Sequence, residues 1–179
     1  MEKSKVYFTS FKTSFTENLM QKLARLVKTA GIENIDFQDH YAAIKIHFGE
    51  YGNLAFLRPN YAKVIADIVK EQGGKPFLTD CNTLYVGSRK NAVDHLETAY
   101  MNGFTPYATG CPVIIADGLK GTDEALVPVN GEYIKEAKVG RALMDADILI
   151  SLTHFKGHEA TGFGGAIEKY RYGRRFPCR

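Results

Sequence analysis

Two rhythms of apolar and polar residues alternate along this chain. Short apolar runs predict strands, and longer stretches with apolar positions every three or four residues predict helices. Val6-Tyr7-Phe8 predicts a first short strand. Ser14-Phe15-Thr16-Glu17 has the spacing of a capping box, and Phe15, Leu19, Leu23 and Leu26 form the apolar stripe of a helix that Gly31 ends. Ala43 to Phe48 alternates like a strand. Pro59 starts a second helix, through Val64, Ile65 and Ile68 to Gly73-Gly74. Pro76 to Thr79 reads as a short buried strand, Ala92 to Met101 as a helix and Pro112 to Ala116 as a further strand. Ala125 to Val129, the pair Asn130-Gly131 and Glu132 to Ile134 predict a hairpin with an Asn-Gly turn. A helix near Val139 to Met144 then leads into a last strand, Ile148 to Ile150.

This order predicts an α/β fold: a mostly parallel open sheet with helices on both faces, plus an edge or inserted β-hairpin. Residues 1–167 are expected to form one domain. In such a sheet ligands sit beyond the carboxyl ends of the strands. The residues at and just after each predicted strand end are therefore a guide to chemistry. Lys45, His47, Gly49 and Glu50 close the second strand, Asp80 and Cys81 the third, Asp117-Gly118 the fourth, and Ser151, His154, Lys156 and His158 the last. Polar groups with reactive or charged side chains thus gather at one end of four strands.

Each candidate has a plainer reading beside its chemical one. Lys45 and His47 alternate with Ile44 and Ile46 as they would on a half-exposed edge strand. Asp80 either caps a turn, or binds a cation, or orients a histidine. Asp117-Gly118 is also an ordinary turn pair. Arg89, with Tyr85, either reaches the crevice or sits solvated in the first turn of the next helix. The segment from Ser151 to Ala166 packs His154, Lys156 and His158 among glycines. Lys156 suits an anion, and Gly162, Gly164 and Gly165 could present backbone N–H groups to it. His154 and His158 lie four apart, as helical metal ligands do, although Gly157 makes a helix doubtful there. For a metal the candidates are His47, Asp80 and His158. In a catalytic reading His47, Asp80, His154 and His158 are the groups that act. Tyr7, Phe8, Phe11 and Phe15 are expected in the core.

Composition narrows the function classes. With 45% apolar and 24% charged residues in 179, the chain is an ordinary globular protein. The net charge of +3 owes much to Arg171, Arg174, Arg175 and Arg179 at the end, so no nucleic-acid partner is expected. No apolar run approaches the roughly 18 residues of a membrane span, and the N-terminus lacks the apolar core of a secretory signal. A cytoplasmic protein with no membrane partner is the expectation. The three cysteines, Cys81, Cys111 and Cys178, are too scattered for a disulfide framework or a thiolate cluster.

Four motifs together resemble a known family. They are I-K-I-H-F-G-E (Ile44–Glu50), F-L-T-D-C-N-T-L-Y (Phe77–Tyr85), I-I-A-D-G (Ile114–Gly118) and H-F-K-G-H-E-A-T-G-F-G-G-A-I (His154–Ile167). They are similar to domain of unknown function family 362 of bacteria and archaea, common in anaerobes and often described as iron–sulfur or ferredoxin proteins. The resemblance implies redox-associated metabolism and a possible ferredoxin-type module as partner; it supplies no activity. Many relatives continue past this block and carry a bacterial-type ferredoxin module. After Gly164-Gly165-Ala166-Ile167 the family pattern would run K-N-[IL]-G-M-G, whereas this chain reads Glu168 to Arg179 differently. Codons for that tail, read one base later, can spell K-N-I-G-M-G-G-G-S-R-A. Residues 168–179 are therefore expected to be a frameshifted, non-native tail, and no iron–sulfur cluster is expected in this chain. The functional expectation is a domain that binds an anionic small molecule or a metal ion in the crevice, with a non-catalytic ligand-binding or electron-transfer docking module as the alternative.

Overall fold

The structure, a computed structural model, describes residues 3–159 and 162–166. The tail 168–179, with its arginines and Cys178, lies outside the described residues. In chain order the elements are α1 (Leu19–Thr29), a 3₁₀ turn (Ile32–Asn34), β1 (Tyr41–Lys45), α2 (Pro59–Glu71), β2 (Lys75–Asp80), α3 (Ala92–Met101), α4 (Pro106–Thr109), β3 (Val113–Ile115), β4 (Glu124–Pro128), β5 (Glu136–Gly140), α5 (Arg141–Met144), β6 (Ile148–Ser151), β7 (Lys156–His158) and β8 (Gly162–Gly164). Four of the strands form a parallel sheet in the order β3-β2-β1-β6. The fold is therefore α/β, with the two remaining strand pairs, β4–β5 and β7–β8, as separate antiparallel hairpins.

The central strands are buried on both faces, as a parallel sheet requires. Ile44 and Leu78, side by side in register, sit in the main core cluster with Ala62, Ile65 and Ala66 of α2 and Ala99 of α3. Ala43, Lys45, Phe77 and Thr79 point to the opposite face and are also buried. Phe48 and Phe104 close the upper end of the core edge to face, ring centroids 5.3 Å apart. The β4–β5 hairpin is anchored to the end of β3 at Gly140, where an added Cβ would lie 2.9 Å from the Ala116 carbonyl.

Several expected elements differ. Val6-Tyr7-Phe8 forms no strand, and Tyr7, Phe8, Phe11 and Phe15 are exposed rather than core. The segment runs outside the sheet, held by Lys22, whose Nζ donates to the carbonyls of Ser10 at 2.8 Å and Lys12 at 2.7 Å. The capping box belongs to Asn18 and Gln21 instead of Ser14 and Glu17, so α1 begins at Leu19 and excludes Phe15. The β4–β5 hairpin pairs Pro128 with Glu136, which puts Glu132 to Ile134 in its loop. Val139 accordingly belongs to β5, and only Arg141–Met144 is helical.

Candidate functional site

From β1 the chain moves outward through β2 to β3, and then returns to place β6 on the other side of β1. The order reverses between β1 and β6, and the carboxyl ends of those two strands are where such sheets open a ligand crevice. A cavity of about 290 Å³ lies there. His47, Glu50, Phe56 and Leu57, from the loop after β1, line one side, and His154 and Lys156, after β6, line the other.

His47 continues the alternation of β1, where Ile44 and Ile46 turn to the core. Its Nδ1 accepts the backbone N–H of Gly49 at 2.9 Å, so in the neutral ring the proton sits on Nε2. Gly49 has φ of 85°, and an added Cβ would meet Asn102 Nδ2 at 2.6 Å and Phe56 Cδ1 at 2.8 Å. Only glycine fits this turn without displacing the Phe56 wall of the cavity.

Behind the cavity runs a chain of alternating charges. Lys45 Nζ donates to Asp80 Oδ1 at 2.6 Å, with Lys45 3% and Asp80 7% exposed. Arg89, also buried, reaches Asp80 Oδ2 with Nη1 at 3.5 Å. Its Nε donates to Glu50 Oε1 at 3.0 Å, and Nη2 bonds the same oxygen. Tyr85 OH donates to Glu50 Oε1 at 2.8 Å and accepts from Arg89 Nη2 at 2.6 Å. Burial alone would raise the Asp80 pKa, but the Lys45 ammonium, the Arg89 guanidinium and the nearby imidazoles together outweigh it and hold the carboxyl well below the usual range. Burial likewise opposes ionisation of Glu50, and its bonds from Arg89 and Tyr85 still keep it below the ordinary value. Burial, with Glu50 beside it, pushes the Tyr85 phenol up to about 12, so it stays a neutral donor. All members of the chain are thus held in their charged or donating forms.

A second buried group stands next to it. Asn82 donates from N and Nδ2 to Asp117 Oδ1 at 3.0 and 2.9 Å. That orients Asn82 Oδ1 toward His95 Nδ1 at 3.4 Å, which makes Nδ1 the protonated nitrogen. His95 is 0% exposed, and its Nε2 has no hydrogen-bond partner among the described residues. Burial lowers its pKa to about 4, so the ring is neutral.

Of the residues singled out in the sequence, the cavity gathers His47, Glu50, His154 and Lys156. Lys45, Asp80, Arg89 and Asp117 are buried partners of one another or of their neighbours rather than its lining. Asp80 accepts from Lys45, Arg89 and the Cys81 N–H, so it serves as the centre of a buried ion-pair chain rather than as a turn cap at the surface. Arg89, 2% exposed, is not a solvated helix-turn residue. His158 stands at the far end of the β7–β8 ribbon, beyond Lys156. Gly162 and Gly164 are strand residues of that ribbon, which Gly165 follows; none of the three lines the cavity. Among the described residues no group of three or more His, Cys, Asp or Glu is placed to hold a metal ion. Sequence reasoning missed Phe56, Leu57 and His95. The first two come after the same strand end as His47, a signal that was there to use. His95 lies among the apolar positions of α3 and gave none.

A family model described as domain of unknown function (DUF362) matches residues 42–174, well over half of the chain. The chain belongs to the DUF362 family. The DUF362 match takes in every cavity-lining residue and runs past Ile167. A thylakoid-associated protein of Synechocystis sp. is 25% identical over 107 residues, covering 60% of this chain and 30% of that protein. The chain therefore spans about 30% of the length of this curated relative. No solved structure matches the chain. No helix among the described residues is long and apolar enough to cross a membrane.

Proposed function

We propose that this DUF362 domain binds a small anionic molecule in the crevice between the ends of β1 and β6. The observation that carries the reading is the charge balance of the cavity lining. Lys156 brings a cation and His47 and His154 bring imidazoles, while Glu50, the one carboxylate among the described lining residues, is offset by the buried Arg89. Such a site favours a carboxylate or phosphate over a cation or a neutral molecule. Ile46, Phe56 and Leu57 add an apolar wall for the body of the ligand. In a catalytic role, His47 or His154 would move a proton to or from the bound anion. The place in redox-associated metabolism rests on the family resemblance, and the thylakoid association of the relative is in keeping with it.

The test is a titration of isotope-labelled protein with phenyl phosphate, 3-phenylpropionate and the neutral 3-phenylpropanol, followed at the Gly49 and Lys156 amides. Saturable shifts are expected with an anion, weakened roughly tenfold or more in Lys156→Ala, as loss of a charged hydrogen-bond partner implies. Equal binding of the alcohol, or no change in Lys156→Ala, would sink the reading. Zinc binding abolished by both His47→Ala and His154→Ala would assign the site to a metal instead.

A further inference from the structure

The Glu50 side chain is 33% exposed and lines the cavity, yet it is not a freely rotating surface carboxylate. Arg89 Nε, Arg89 Nη2 and Tyr85 OH all converge on one of its oxygens, Oε1. None of the three uses Oε2. Arg89 is itself fixed from behind by Asp80, and Asp80 by Lys45. The chain of buried charges therefore orients Glu50. A carboxylate pinned through one oxygen presents the other as a hydrogen-bond acceptor, and an ionised carboxylate can only accept.

We propose that the ligand carries a hydrogen-bond donor, a hydroxyl or an ammonium, in addition to its anionic group, and that Glu50 Oε2 selects for it. This rests on the anion-binding reading above and names the chemistry of the same ligand. The anionic end faces Lys156 and the imidazoles, the donor meets Glu50, and a small apolar body lies along Phe56 and Leu57. Hydroxy acids, amino acids and their phosphate counterparts share this pattern; simple carboxylates do not. A cavity of about 290 Å³ has room for molecules of this size. A site built to bond a donor discriminates strongly against an analogue lacking it, because the acceptor, covered by the bound ligand, loses its water and gains nothing.

Matched probes test this: 3-phenylpropionate without a donor, 3-phenyllactate with a hydroxyl, phenylalanine with an ammonium, and 2-methoxy-3-phenylpropionate, whose oxygen cannot donate. Dissociation constants from the same amide titration are expected to favour phenyllactate or phenylalanine over phenylpropionate by about tenfold or more. The methoxy compound should fall back to the level of phenylpropionate. In Glu50→Gln, Arg89 still demands an acceptor, so the amide nitrogen takes the place of Oε2. The preference for a donor should vanish there while phenylpropionate still binds. If all four probes bind wild-type protein alike, the donor inference is overturned and the anion reading stands. If none binds, both fall. A methoxy compound that binds as tightly as phenyllactate, or a donor preference that survives Glu50→Gln, also overturns the inference. The methoxy comparison decides the matter in wild-type protein even if Glu50→Gln fails to fold.

Discussion

Asp80 is the residue on which the buried charges depend, since it answers both Lys45 and Arg89. Replacing it by Asn leaves an ammonium in the core with no counter-charge, a change that typically costs about 3–5 kcal/mol. Urea unfolding of Asp80→Asn should show a loss of that size, whereas Lys45→Met with Asp80→Leu, which removes both charges, should recover much of it. His95 gives the molecule a pH response. Its folded pKa of about 4 lies below the ordinary histidine value, so the unfolded chain binds the proton more readily. Stability from this ring is complete above about pH 6.5 and is lost as pH falls toward 4, on the order of 3 kcal/mol in all. The charges of Asp80, Arg89, Glu50 and Lys45 all act on it, and the depressed Asp80 adds a further loss only at lower pH. Unfolding measured at pH 7, 5.5 and 4.5 should show the fall, and His95→Phe should flatten the upper part of it. Little of this was legible in the sequence. Glu50 and Arg89 are 39 positions apart, and nothing local says that such residues meet. The histidine and lysine near the ends of β1 and β6 could be read because strand ends are where the fold delivers ligands.

Among the elements, the loop after β1 is tightly constrained, because Gly49 sets its path. Gly49→Ala should both strain the backbone and push Phe56 into the cavity. We expect a loss of stability of at least about 1 kcal/mol with weakened anion binding, read from the same unfolding and titration experiments. At α1 the cap decides the start. Asn18 accepts from the N–H groups of Met20 and Gln21, so Asn18→Ala should cost about 1 kcal/mol, while Ser14→Ala should cost less. Ser14 with Glu17 and Asn18 with Gln21 both match the capping pattern in sequence, and only packing separates them. α3 was legible because Ala92, Leu96 and Ala99 recur at helical spacing even with His95 on the buried face, and α2 because Pro59 fixes its first turn. Val6-Tyr7-Phe8 misled because a short apolar run shows that a strand is possible and says nothing about a neighbour to pair with. The β4–β5 register slipped for a related reason: Asn130 with Gly131 suggests a tight turn, yet Gly131 N–H bonds the Ile134 carbonyl, and the loop runs on to Lys135.

At the scale of the whole molecule, the alternation of strands and helices was enough to name the α/β class, while the strand order that locates the crevice depends on pairings between distant segments that no local pattern encodes. That order also sorts the molecule by resistance to opening. β1 and β2 are paired on both sides and buried on both faces, whereas β7 and β8 pair only with each other. Hydrogen exchange should therefore be slowest at Ile44 and Leu78 and much faster at residues 156–158 and 162–164. Yet Lys156 rides on that loosely held ribbon, while Glu50 is bolted to the sheet through Arg89 and Asp80. A molecule gripped from both sides at once would act as a rivet, fastening the ribbon to the body. Occupancy would then be written in the slowed exchange of β7 and β8 themselves, so this chain can be screened against unknown metabolites without any assay of turnover.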